Sequence, residues 1–87
     1  MYSGIPEKIR VLIADDSLFI RTYLTGLLHG DPEISIVATA STGNEAVALA
    51  HKLKPDVITM DFNMPGKNGI EATAEIMQGA RPLPAII

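Results

Sequence analysis

Eighty-seven residues limit this chain to one domain, and a chain of this size buries only about 60–68% of the surface its unfolded form exposes. A content of 47% hydrophobic and 20% charged residues excludes disordered and fibrous classes, and a net charge of −3 speaks against nucleic acid or an anionic membrane as a partner. The absence of cysteine removes disulfides and thiolate metal sites and fits a reducing cytoplasm, and no apolar run approaches the roughly eighteen residues of a membrane span.

Residues 1–8 read as an amino-terminal extension whose start lacks the basic-then-apolar layout of a signal peptide. Ile9 to Ala14 is a nearly continuous apolar run, the pattern of a strand covered on both faces. Ser17 is the N-cap of a helix in which Ile20, Tyr23, Leu24, Leu27 and Leu28 recur as a buried stripe, ended by Gly30 and Asp31-Pro32. Glu33 to Ala40 forms a second strand with one better-buried face, with Ile34, Ile36 and Ala38 alternating and Val37 breaking the alternation. Thr42-x-x-Glu45 is a capping box opening a helix lined by Ala46, Leu49, Ala50 and Leu53, which Lys54-Pro55 stops. Asp56 to Met60 is a third strand. After a Pro65-Gly66 turn, Asn68 caps a third helix carrying Ile70, Thr73, Ala74 and Met77, closed by Gly79 and Pro82. Leu83 to Ile87 begins a fourth apolar strand. The order βαβαβαβ, with short connections, predicts an α/β fold with a parallel sheet.

The acids stand where such a fold puts chemistry. Asp15-Asp16 follows the first strand and Asp61 follows the third, and in a parallel sheet the carboxyl ends of strands meet at the ligand-binding switch point. Acidic helix starts and strand-leaving aspartates are each commonplace alone. Brought together, these carboxylates repel unless a cation sits among them, and oxygen donors suit Mg²⁺. Asp61 is then a nucleophile toward a phosphoryl group, Asp15 and Asp16 hold the metal with Asp61, and the backbone carbonyl of Asn63 completes the shell. His29 and His51 lie near helix ends without ligand spacing, so dipole compensation is their role. An aspartyl phosphatase needs a general acid two residues past the nucleophile, where this chain has Asn63, which has no proton to give.

Val11-Leu12-Ile13-Ala14-Asp15-Asp16-Ser17, Met60-Asp61-x-Asn63-Met64-Pro65 and Gly69 together resemble the receiver domain of two-component response regulators. The resemblance runs from about Ile9 to Ile87 and implies an incomplete flavodoxin-like fold over residues 9–87, with strand order 2-1-3-4 and without the fifth strand and last two helices of the family. It implies that Asp61 accepts a phosphoryl group from a sensor histidine kinase, with Mg²⁺ held by Asp15, Asp16, Asp61 and the Asn63 carbonyl. The segments Ile34 to Ala40 and Arg81-Pro82-Leu83-Pro84 are similar to the receivers of chemotaxis protein-glutamate methylesterases, whose esterase would lie outside this chain. The family's Ser or Thr after strand four and Lys after strand five have no counterpart before Ile87. An alternative expectation is therefore a homodimer or domain-swapped oligomer that associates without phosphotransfer.

Overall fold

In a computed structural model, residues 7–79 and 82–87 are described. The expected extension over residues 1–8 and the Arg81 of the methylesterase-like segment lie largely outside them. Strands β1 (Ile9–Ala14), β2 (Ile34–Ala40), β3 (Val57–Met60) and β4 (Ala85–Ile86) form one parallel sheet in the order β2-β1-β3-β4. Helices α1 (Leu18–His29), α2 (Gly43–Leu53) and α3 (Gly69–Gly79) are the crossovers. The expected βαβαβαβ order and the central place of the first strand both hold.

The caps explain where the helices begin. Ser17 Oγ accepts from the Ile20 N–H, and Thr42 Oγ1 accepts from the Glu45 N–H. Glu45 Oε1 reaches back to the N–H of Ser41 at 2.7 Å, one residue earlier than in a standard capping box. At α3 the box closes fully: Asn68 Oδ1 accepts from the Glu71 N–H at 2.8 Å, and Glu71 Oε1 accepts from the Asn68 N–H at 3.0 Å.

The larger core cluster lies on one side of the sheet, while Val11 and Ile13 of β1 are buried on the other. Leu12, Ala14, Ala40 and Ile58 meet Ala46, Val47 and Ala50 of α2, Ala72 and Ile76 of α3, and Met64 of the intervening loop. Leu12, Ile13, Ile58 and Ile76 are the largest fully buried side chains, each contributing about 1.5–3 kcal/mol by removal from water.

Three expectations about faces need correction. Helix α1 has no buried residue. Ile20, Leu24 and Leu28 are half-buried, while Phe19, Tyr23 and Leu27 face outward, with the two rings stacked at 6.4 Å. Among the described residues, α1 rests mainly on β1 and β2, so an i, i+4, i+8 row satisfies it. In α3, the expected face of Ile70, Thr73, Ala74 and Met77 points largely outward, and the buried residues are Gly69, Ala72 and Ile76. The close seating of Gly69 described below sets that rotation. In β2, Ile34 and Ile36 align with Ile9 and Val11, whereas Ala38 and Ala40 align with Leu12 and Ala14. Val37 is the extra residue of a bulge, so Ile36 and Ala38 lie on opposite faces.

Candidate functional site

The sheet brings the acids together through its hydrogen bonds. The Asp15 N–H donates to the Ala40 carbonyl at 3.0 Å, and the Asp61 N–H donates to the Ala14 carbonyl at 2.9 Å. Each aspartate is thus the first residue past a paired strand end, and Ala14 and Met60 stand side by side. One carboxylate oxygen from each of Asp15, Asp16 and Asp61 falls within 4.8 Å of the others. Asp15 and Asp61 are half-buried and Asp16 is exposed, so the cluster opens to solvent.

The donor set fits a hard cation. An octahedral Mg²⁺ shell, with bonds of about 2.0–2.1 Å, spans about 4.2 Å across. The separation bound of the carboxylates is close to that span, which leaves room for one of them to act through water. Asn63 lies two residues past Asp61 on an exposed stretch of the same loop. Phe62 between them is 56% exposed. Lys67 Nζ donates to Asn44 Oδ1 at 3.0 Å and pairs with Glu75 at 3.3 Å. Its charge is therefore committed to α2 and α3.

Asp15 is the best-positioned acid. Its Oδ1 accepts from the Ser17 N–H at 2.9 Å, and its backbone carbonyl accepts from Arg21 Nη1 at 2.8 Å. Arg21 did not stand out in the sequence, because its link crosses from α1 to the strand end and follows no local spacing. Gly69 did stand out. A Cβ there would overlap the Asp61 carbonyl oxygen and come within 3.0 Å of the Phe62 Cα, and the Gly69 N–H donates to the Phe62 carbonyl at 2.8 Å. Close approach, at an otherwise ordinary helix start, is what requires glycine here.

The model of the response regulator receiver domain matches residues 11–87. The chain belongs to the response regulator receiver family. This receiver is 54% identical over 81 residues to a protein-glutamate methylesterase/protein-glutamine glutaminase of Carboxydothermus hydrogenoformans, covering 93% of this chain and 23% of that protein. It is 52% identical to a protein of the same name from Methanococcus maripaludis, covering 93% of this chain and 22% of the relative. The receiver thus spans under a quarter of the curated relatives it matches. In structure it resembles the response regulator domain of Thermotoga maritima CheB with a TM-score of 0.86 at 45% identity, covering 92% of this chain and 58% of that one. It also resembles a chain of the CheX-CheY-BeF3-Mg²⁺ complex from Borrelia burgdorferi, with a TM-score of 0.74 at 37% identity, over 87% of this chain and 56% of the other. Among the described residues, no helix is long and apolar enough to cross a membrane.

Proposed function

We propose that this receiver is a cytoplasmic, Mg²⁺-dependent phosphoacceptor of the chemotaxis type. In this reading, an Asp61 carboxylate oxygen attacks the phosphorus of a phosphohistidine on a sensor kinase. The new O–P bond makes an acyl phosphate as the N–P bond breaks and its electron pair returns to the imidazole. Asp15, Asp16, Asp61 and the Asn63 carbonyl hold the metal, which when bound offsets negative charge on the transferring group. Asp15, fixed by Ser17 and Arg21, orients the site, and the solvent-open face beside Asp16 admits the donor. The observation that carries the reading is the convergence of the Asp15, Asp16 and Asp61 oxygens within 4.8 Å at adjacent strand ends. Likeness to a chain of the CheX-CheY complex with BeF3 and Mg²⁺ supports it. The methylesterase relatives support placement in a longer protein whose esterase lies outside this chain.

Mass spectrometry of the chain with Mg²⁺ and a small-molecule phosphodonor tests the proposal. One phosphoryl group is expected per chain, not formed when Mg²⁺ is chelated before the donor is added and absent in Asp61→Asn. An adduct persisting in Asp61→Asn overturns the assignment.

A second reading, a receiver that acts by self-association without phosphotransfer, rests on the outward row of Phe19, Tyr23 and Leu27. It expects a dimer in sedimentation that dissociates in Tyr23→Glu. Indifference to that charge sinks it.

A further inference from the structure

We infer that Gly43 is a positioning residue for the acceptor loop: the first turn of α2 is the surface against which the backbone of residues 61–69 takes its shape. The inference rests on the metal-and-acceptor reading of that loop. It starts from an oddity of sequence. Gly43 occupies the first helical position after the Thr42 cap, and glycine is a weak helix former that adds no capping side chain there. Its φ is not in the left-handed region, so no turn explains it.

The reason is contact. Gly43 is buried, and a Cβ at this position would overlap the Lys67 carbonyl oxygen and lie 2.6 Å from the Lys67 Cβ and 2.7 Å from its carbonyl carbon. Real Cβ atoms essentially never come so close, and two of these neighbours are backbone, which cannot swing aside as a side chain does. A methyl group at position 43 therefore has to move one of two main chains.

The loop is the one that yields. The start of α2 is tied by the Thr42 and Glu45 caps, and its Ala46, Val47 and Ala50 sit in the core. The loop is held at its ends by the Gly69–Phe62 hydrogen bond, in its middle by the buried Met64, and at Lys67 by this contact and the Asn44 bond. The start of α3 is pinned by the Asn68–Glu71 box. A push on Lys67 is consequently absorbed between Phe62 and Lys67, the segment that contains Asn63. Gly43 touches neither metal nor phosphoryl group and acts through the path of that segment. Groups that orient metal ligands from outside the shell commonly alter affinity 10–100-fold.

The test is nuclear magnetic resonance on the full chain, comparing wild type, Gly43→Ala and Lys67→Gly. Mg²⁺ affinity is taken from the Asp15, Asp16 and Asp61 amides, and hydrogen exchange of the Gly69 amide is measured in metal-free protein. Gly43→Ala is expected to retain dispersed β1 resonances, bind Mg²⁺ about tenfold more weakly and exchange the Gly69 amide faster. Lys67→Gly, which frees the loop from Asn44 and Glu75 without crowding α2, is expected to weaken Mg²⁺ binding in the same direction. A folded Gly43→Ala with wild-type affinity and wild-type Gly69 exchange overturns the inference, even if it melts at a lower temperature. If Gly43→Ala does not fold, wild-type affinity in Lys67→Gly overturns it. A wild-type chain silent toward Mg²⁺ overturns the metal reading instead, and Gly69 exchange in the metal-free proteins still decides whether Gly43 shapes the loop.

Discussion

At the scale of single residues, the acid cluster puts stability and binding in opposition. Two like charges a few ångströms apart repel by about 1 kcal/mol even in a water-like dielectric, and Asp61 faces both Asp15 and Asp16. Neutralising it relieves two such pairs. Asp61→Asn is therefore expected to raise the melting temperature of the metal-free chain, by roughly 4–8 °C for each kcal/mol relieved. Addition of Mg²⁺ should raise the melting temperature of the wild type and leave that of the variant nearly unchanged, since only a ligand of the native state stabilises it. Differential scanning calorimetry with and without Mg²⁺ checks both signs. A variant that melts lower without metal would mean that Asp61 stabilises the fold through contacts stronger than the repulsion. The acids were legible in the sequence because the Asp15-Asp16 pair and Asp61 each follow an apolar run directly. Arg21 and Gly43 were not. Their partners, the Asp15 carbonyl and the Lys67 backbone, are reached only after the sheet and α2 have been placed. Gly43 did leave one sign, a glycine where a helix start has no use for one.

At the scale of elements, the strands and helices were legible and the rotation of the helices was not. Ser17, Thr42 and Asn68 mark three helix starts because a capping side chain acts on neighbours in sequence. The face a helix buries is decided elsewhere. In α3 the bulkier Ile70 and Met77 suggested the core side, yet Gly69 pressed on Asp61 turns Ala72 and Ile76 inward. Denaturant unfolding separates the two faces. Ile76→Ala, at 0% exposure, is expected to cost about 2–5 kcal/mol. Ile70→Ala, at 62% exposure, is expected to cost under about 0.5 kcal/mol. Equal costs would mean that α3 is rotated differently. In α1, Gly26 has nothing within 4 Å of where a Cβ would stand. Gly26→Ala thus improves helix propensity without crowding and is expected to stabilise by about 0.5–1 kcal/mol. The bulge at Val37 shows the same limit from the strand side. The broken alternation was visible, and its meaning as a change of face required the partner strand.

At the scale of the molecule, the two sides of the sheet are unequal. One carries α2, α3 and the larger core cluster; the other, where Val11 and Ile13 are buried, carries α1, which has no buried residue of its own. Elements with few buried contacts open at lower free energy than the rest of the structure, so α1 is expected to exchange its amides through local opening while the β1 and α2 amides exchange only on global unfolding. The site is tied to that weak element. Ser17 caps α1 and donates its N–H to Asp15, and Arg21 reaches from α1 to the Asp15 carbonyl. Opening of α1 therefore releases Asp15, and whatever steadies Asp15 steadies α1. Hydrogen exchange with and without Mg²⁺ reads this coupling directly: protection should rise at the β1 and β3 ends and along α1 together. Arg21→Ala should cut the α1 part of that rise while leaving the rise at Asp61. A rise confined to the strand ends in the wild type would mean that α1 stands apart from the site. In that case the Arg21 bond would position nothing, and the weak helix would matter only for what its outward row of Phe19, Tyr23 and Leu27 meets.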